Sequence, residues 1–315
     1  MLTRKQAINF FKTEPYKFGR MLGFDKLTPM HNEWIKKMAF GSGDYTLQGH
    51  RASYKTTCLS VALAMIIILL PNKRTLFMRK TDDDVKEIIK QVRNILSNPK
   101  TQYLVTCIYG VNLRLTVDNA TELMTNLTTD IKGTSQLVGI GTQSSLTGQH
   151  YDYIFTDDII NVKDRTSRAE RERIKIVYQE LINIKNRGGR IFNTGTPWHK
   201  EDAFSIMPEP ERWDCYSTGL MNDEEIQEIK DSMSPSLFAA NYELKHIAAE
   251  DVIFDDAQIG ADISRVLNAN VCHVDAAYGG EDYTAFTIAK KVGGKYYVYG
   301  RLWPKAVDDC MEEII

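Results

Sequence analysis

The chain has 315 residues, 43% hydrophobic and 25% charged, with a formal net charge of -2. These are globular proportions that exclude a disordered or fibrous chain, and the length suits two ordinary domains or one large α/β domain with an appendage. Near-neutral charge leaves no global electrostatic footprint for nucleic acid, so any DNA contact must come from local patches.

The N-terminus, MLTRKQAINFFKTEPYKFG, lacks the apolar core and small-residue cleavage site of a secretory signal. From about residue 45 to 220, short β-rich runs alternate with helical periodicity, the pattern of a parallel sheet covered by helices. Strands are predicted at Tyr45 to Leu47, Thr75 to Met78, Leu113 to Val117, Tyr153 to Thr156 and Arg190 to Asn193, and helices at Lys55 to Leu70, Asp82 to Leu96 and Ser167 to Ile184. The most apolar run, Cys58 to Leu70, stops at Pro71. It is too short to cross a bilayer, which makes it a buried helix with no membrane role.

Basic residues cluster in two places, Lys163, Arg165, Arg168, Arg171 and Arg173, then Lys185, Arg187 and Arg190. They are candidates for DNA contact, although Glu170 and Glu172 within the first group suit a solvated helix face equally well. After residue 220 the texture changes. Asn222 can cap a helix beginning Asp223-Glu224-Glu225, and Ser234-Pro235 breaks it before a further helix through Tyr242. Ala248 to Ile259 reads as a linker. Three β-type runs follow, VCHVDAAY, YTAFTIAKK and KYYVYGRLW, joined at Tyr278-Gly279-Gly280 and Val292-Gly293-Gly294, an antiparallel meander with a helix starting near Ala306. The five cysteines are far apart with no CxxC pair, which speaks against a zinc site or disulfide framework and for a reducing cytoplasm.

Chemistry concentrates at three strand ends. The segment Gly49-His50-Arg51-Ala52-Ser53-Tyr54-Lys55-Thr56 follows a short strand and opens an apolar helix. There, backbone N–H groups can cradle phosphate, Lys55 can reach the terminal phosphates and Thr56 can help hold Mg²⁺. The second glycine of the usual phosphate loop is replaced by Tyr54. The strand Tyr153 to Thr156 ends in Asp157-Asp158, where Asp157 suits a metal and Asp158 a general base for the attacking water. The strand Ile191 to Asn193 runs into Thr194-Gly195-Thr196-Pro197-Trp198-His199, small polar residues placed to sense a γ-phosphate.

Together these segments resemble the large terminase subunits of tailed bacteriophages. The resemblance implies a P-loop NTPase (helicase-like ASCE) core with a parallel central sheet, followed by the truncated start of an RNase H-like nuclease domain. It implies ATP as ligand, with Gly49, Ser53, Tyr54, Lys55, Thr56 and Thr57 around its phosphates and Arg51 as the loop arginine that touches the γ-phosphate. It further implies catalytic roles for Lys55, Asp158, Arg51 and Thr194, Mg²⁺ on Thr56 and Asp157, and His31 in Leu27-Thr28-Pro29-Met30-His31-Asn32-Glu33-Trp34 against adenine, although a histidine there suits a surface position or a helix cap equally well. The string NTGTPWHKEDAF is the family's coupling motif. Arg165 and Arg168 are candidates for an arginine given to a neighbouring subunit. In HVDAAYGGEDY, Asp275 matches the first metal-binding strand of the nuclease, a site for Mg²⁺ or Mn²⁺, and Asp282 is structural.

The expected division is an ATPase domain over 1–220, a helical subdomain and linker over 221–265, and an incomplete nuclease domain over 266–315. The remaining nuclease acids would lie on later elements, so this polypeptide is expected not to cut DNA. The implied partners are double-stranded DNA, a portal protein, a small terminase subunit and a homo-oligomeric ring in the host cytoplasm. A helicase on the same core would need a second motor-like domain in place of the meander, and a non-catalytic DNA-binding or capsid-assembly protein would be indifferent to loss of Lys55.

Overall fold

The computed structural model describes residues 2–145, 148–246, 260, 263–269, 271–278 and 282–314. Contacts divide the chain into two compact units, Met1–Ile253 and Phe254–Ile315. The helical segment after residue 220 shares the first unit, since Cys215 and Ile226 pack with Phe238 and Tyr242. The predicted linker and the Gly279-Gly280 turn lie outside the described residues.

The first unit opens with three helices, α1 (Arg4–Thr13), α2 (Pro15–Met21) and α3 (Pro29–Phe40). Then come β1 (Tyr45–Gly49), α4 (Lys55–Leu69), β2 (Thr75–Arg79), α5 (Asp82–Ser97) and α6 (Pro99–Tyr109). The central stretch holds β3 (Leu115–Asp118), β4 (Glu122–Thr125), β5 (Leu137–Gly141), β6 (Tyr151–Asp157), α7 (Val162–Thr166), α8 (Arg168–Asn183), β7 (Lys185–Gly195) and β8 (Glu211–Trp213). Helices α9 (Asp223–Asp231) and α10 (Pro235–Phe238), with a π-type turn over Ala239–Glu243, complete it.

Eight strands form one sheet in the order β3-β4-β5-β2-β6-β7-β1-β8. The run from β5 to β8 is parallel, while β3 and β4 are antiparallel. The predicted strand near Leu113 is therefore an antiparallel edge rather than part of the parallel layer. Alternation along the strands divides the core. Leu47, Phe77, Phe155 and Phe192 face α4 and α5, whereas Leu76, Met78, Ile154 and Ile191 face α8. Helix α4 is apolar all round because it lies inside, with Cys58 through Ile68 buried without exception. Each of its fully buried Leu, Ile or Val side chains contributes about 1.5–3 kcal/mol, and no helix among the described residues is long and apolar enough to span a membrane.

Local signals explain the helix boundaries. Thr81 accepts a hydrogen bond from Asp84 N–H, and Asp82, Asp83 and Asp84 fill the first turn of α5 where the dipole favours acids. Helix α6 starts on Asn98 and Pro99 and stops at Gly110, which takes a left-handed φ of 72°. Asn222 forms a capping box with Glu225 at the start of α9.

One strand, β7, separates β1 from β6, so the loop leaving β1 and the acids ending β6 flank the end of β7. This order, with a phosphate-type loop between β1 and α4, is that of a P-loop NTPase core. The second unit is a three-stranded antiparallel sheet of β9 (Val271–Asp275), β10 (Thr284–Val292) and β11 (Lys295–Trp303). Gly293 and Gly294 turn its hairpin with φ of 57° and 79°, the two left-handed residues that a tight hairpin demands.

Candidate active site

The loop after β1 is built close. A Cβ on Gly49 would lie 2.9 Å from Ser53 Oγ and 3.0 Å from Lys55 Cδ, so a side chain there would push both from their places. Tyr54 stands where a second glycine is usual and still takes the left-handed conformation, with φ 61°, as does Ala52 with φ 65°. Each costs about 1–2 kcal/mol. Packing offsets the cost at Tyr54, whose ring meets His31 edge-on at 6.0 Å between centroids. The loop backbone is tied from outside. His50 N–H donates to Trp213 O at 2.9 Å, and Arg51 N–H donates to Asn241 O at 2.7 Å. The His50 ring donates from Nδ1 to Arg51 O at 2.7 Å and accepts from the Thr218 hydroxyl at 2.8 Å, and burial lowers its pKa so that the ring stays neutral.

His31 belongs to this scaffold and not to the cleft. It is fully buried. Its Nδ1 accepts from Thr28 N–H at 2.8 Å, closing the cap of α3, and Nε2 donates to Ser53 O at 3.1 Å. Both nitrogens are occupied, which corrects the expectation of an adenine contact. Burial is also the main cause of its lowered pKa.

Helix α4 starts on Tyr54 without a side-chain cap. Its first N–H groups lack intrahelical partners, and with the loop they present an anion-binding end. Lys55 is 7% exposed and folds back to donate to Gly49 O at 2.6 Å and His50 O at 3.1 Å. Burial lowers its pKa, opposed by the charges of Asp158 and Asp157.

Of the two acids, Asp158 lines the cleft and Asp157 is buried behind it. Asp157 is fully buried and accepts from the Thr56 hydroxyl at 3.1 Å and from the Thr194 hydroxyl. These two bonds join the loop, β6 and β7 at a single carboxylate. Asp158 turns out of the strand with φ 48°, and its N–H donates to Thr194 O at 3.1 Å. Its side chain is 43% exposed toward the cleft mouth but walled by protein elsewhere. Burial first and the neighbouring Asp157 second raise its pKa to about 6, against the pull of Lys55, Arg79 and Arg51. That range suits a group that must take and release a proton near neutrality.

A cleft of about 340 Å³ opens over these groups, lined by Arg51, Ser53, Tyr54, Lys55, Thr56, Thr57, Asp158, Asn161, Thr196, Trp198 and Asn241 among others. The loop, Asp158 and the turn from Thr196 to Trp198 thus meet at one cavity, with Asp157 buried behind Thr56. The motif's turn is fixed by Asp202, whose carboxylate accepts from the N–H groups of Trp198 at 2.9 Å and of His199 and Phe204 at 3.0 Å. Behind it, Asn193 bridges Thr156, Thr46 and the Tyr178 hydroxyl, a buried polar network across three strands and α8.

Half of the eight basic candidates for DNA contact serve the fold. Arg171 donates to Asp164 O at 2.9 Å. Arg173 grips Glu170, which with Lys80 draws that carboxyl down to about 2. Lys185 pairs with Asp44 at 2.7 Å, and Arg190 is 4% exposed with its guanidinium on Lys37 O and Met38 O. Lys163, Arg168 and Arg187 remain exposed and Arg165 half-buried. In the second unit, Asp275 ends β9 opposite Ala285. Among the described residues no three His, Cys, Asp or Glu side chains gather as a metal site.

Sequence reasoning missed Arg79 at the end of β2. Its Nε lies 3.2 Å from Asp157 Oδ2 and its Nη2 3.7 Å from Asp158 Oδ2. Nothing in the motifs points to it, since only the adjacency of β2 and β6 in the sheet brings them together.

No protein-family model matches the sequence, and no curated protein matches it. Solved structures do. The large terminase of a thermophilic bacteriophage is 11% identical, with 91% of this chain and 72% of that chain covered and a TM-score of 0.47. Bacteriophage large terminases are among the structures this chain is similar to. The ATPase domain of the Thermus phage P74-26 large terminase is 11% identical over 68% of this chain and 92% of that one, with a TM-score of 0.46. The large terminase of bacteriophage HK97 is 12% identical over 88% and 63%, with a TM-score of 0.46.

Proposed function

We propose that the first unit binds and hydrolyses ATP and is the motor part of a terminase large subunit, driving double-stranded DNA into a viral procapsid. One observation carries the ATPase reading. The Thr56 hydroxyl at the start of α4 meets the Asp157 carboxylate at the end of β6, 3.1 Å apart, and Thr56 lines a cleft whose rim is an uncapped helix end and a lysine. A phosphate chain lying along the loop would receive the N–H groups of Tyr54 to Thr57, and Lys55 would exchange two loop carbonyls for terminal phosphate oxygens. The oxygen donors Thr56 and Asp157 fit Mg²⁺, which takes one or two protein oxygens and completes its shell with phosphates and water. When bound there, Mg²⁺ would neutralise charge on the β- and γ-phosphate oxygens.

Asp158 is the base. Ionised, it accepts a proton from a water aligned on the γ-phosphorus, a P–O bond forms to that water, and the bond to the ADP oxygen breaks. Thr194 and Thr196, at the end of β7, report the departure of phosphate through Asp157 and the turn held by Asp202. Arg51 at the cleft rim assists the γ-phosphate. Arg165 or Arg168 would serve the ATP of a neighbouring subunit in a homo-oligomeric ring. The portal protein and small terminase subunit are the implied partners, and the host cytoplasm, at the portal vertex, is the implied location. In a longer protein the second unit would become a metal-dependent nuclease using Mg²⁺ or Mn²⁺. Asp275 by itself does not form such a site, because two-metal cleavage needs several converging carboxylates.

The test is release of radiolabelled phosphate from ATP by the whole chain with Mg²⁺, alone and with double-stranded DNA. Lys55→Ala and Asp157→Ala should each lower the rate about 100-fold or more, the scale for removing a preorganised electrostatic group. Hydrolysis indifferent to both changes would overturn the assignment.

A further inference from the structure

Arg79 has a place in the sheet that its strand does not require. A polar residue at the end of β2 would ordinarily be solvated, yet its side chain is 16% exposed and lies against both acids. The contact is one of charge more than of directed hydrogen bonds, for the buried Nε has no aligned acceptor even at 3.2 Å from Asp157 Oδ2. Its backbone, by contrast, is fixed. Arg79 pairs with Gly141 on β5, and its carbonyl accepts from Thr142 N–H at 3.1 Å. The next residue, Lys80, is clamped between Asp164 at 3.0 Å and Glu170 at 2.8 Å. A guanidinium held by charge alone on an immovable backbone can leave by side-chain rotation without disturbing the sheet.

Two adjacent carboxylates on a walled floor need positive charge beside them. Lys55 does not supply it by contact, since its Nζ is spent on the loop carbonyls of Gly49 and His50. Arg79 does. We propose that Arg79 is the internal counter-cation of the nucleotide-free site. It occupies the ground beside Asp157 that a divalent ion needs, keeps such an ion from binding ahead of nucleotide, and swings aside when a metal–nucleotide complex arrives. The proposal rests on the reading of the cleft as an ATP site and assigns Arg79 a positioning role in it.

The experiment is a titration of the nucleotide-free chain with Mn²⁺, followed by the loss of the free-ion electron paramagnetic resonance signal. Arg79→Gln should bind Mn²⁺ about tenfold more tightly than the wild type, the order expected when one like charge leaves a partly solvated site. Asp157→Ala in that background should abolish the gain, and Arg79→Lys, which keeps the charge, should restore weak binding. ADP binding should weaken in Arg79→Gln with EDTA and not with Mn²⁺. Unchanged or weaker Mn²⁺ binding in Arg79→Gln, or a lysine variant as tight as the glutamine one, would overturn the proposal. So would a loss of ADP affinity equal with and without metal, which would make Arg79 a phosphate ligand. The ATP reading fails separately, if wild type and Lys55→Ala bind ADP equally, and the Mn²⁺ titration does not depend on that result.

Discussion

His31→Ala separates scaffold from ligand contact. The ring is fully buried, gives one hydrogen bond to Ser53 O and accepts another from Thr28 N–H. Removing it leaves a buried carbonyl unpaired at a cost of roughly 1–3 kcal/mol, loosens the cap of α3 by about 1 kcal/mol and opens a cavity beside Trp34, 5.2 Å away between ring centroids. Since the terms overlap, a loss of about 3 kcal/mol is expected, which for a unit of this size lowers Tm by roughly 6–12 °C. Thermal unfolding of the nucleotide-free chain, followed by far-ultraviolet circular dichroism, measures it. An adenine ligand would behave differently, with Tm unchanged and KM raised for ATP but not for a nucleotide with another base. That result would refute the assignment of His31 to the loop scaffold.

Asp158, with its pKa raised to about 6, should give a rate limb in which kcat/KM for ATP falls about tenfold per pH unit below that value. Asp158→Asn should bind nucleotide normally and hydrolyse it at least about 100-fold more slowly. For stability the sign is opposite to that of a salt-bridged acid. The native state holds the proton more tightly than the unfolded chain, so this carboxyl's contribution falls as pH rises from about 4 to about 6, and the slope should vanish in Asp158→Asn urea melts. Ala52→Gly, at φ 65° on an exposed loop position, should raise stability by about 0.5–1 kcal/mol once relief of left-handed strain is set against the entropy of glycine. Gly139→Ala should lower it by about 1–3 kcal/mol, because the new Cβ would lie 2.4 Å from Val85 Cγ1 and 3.1 Å from Ile89 Cδ1.

What can be read from the sequence follows local chemistry. Helix α4 is legible to within a residue because an apolar run ends at a proline, and α5 and α9 because Thr81 and Asn222 cap them above acidic first turns. The β6 strand and its two acids stand out as an apolar run ending in charge. Strand β5, by contrast, carries Gly139 and Gly141, which read as loop. Their cause is tertiary, since α5 packs too close at both positions for any Cβ. Strand β8 has three residues, too few for a period to show. Helix α6 escapes the sequence reading although Asn98, Pro99 and Gly110 are legible signals for it. In the cleft, residue types and spacing point to Lys55, Thr56, Asp157 and Thr194, which the structure brings together. His31 misleads because a buried histidine and a ligand-facing one look alike in sequence. Arg79 is invisible because its partners are set by strand order, a non-local property.

The central claim is that one nucleotide spans the loop after β1 and the acids ending β6. A crystal structure of the chain with Mg²⁺ and a non-hydrolysable ATP analogue tests it most directly. The account predicts the β- and γ-phosphates against the N–H groups of Tyr54 to Thr57, with Lys55 withdrawn from Gly49 O, the metal beside Thr56 and Asp157, and Asp158 facing the γ-phosphate. A nucleotide bound elsewhere, or one in the cleft with Lys55 still folded onto its loop and both acids untouched, would contradict it.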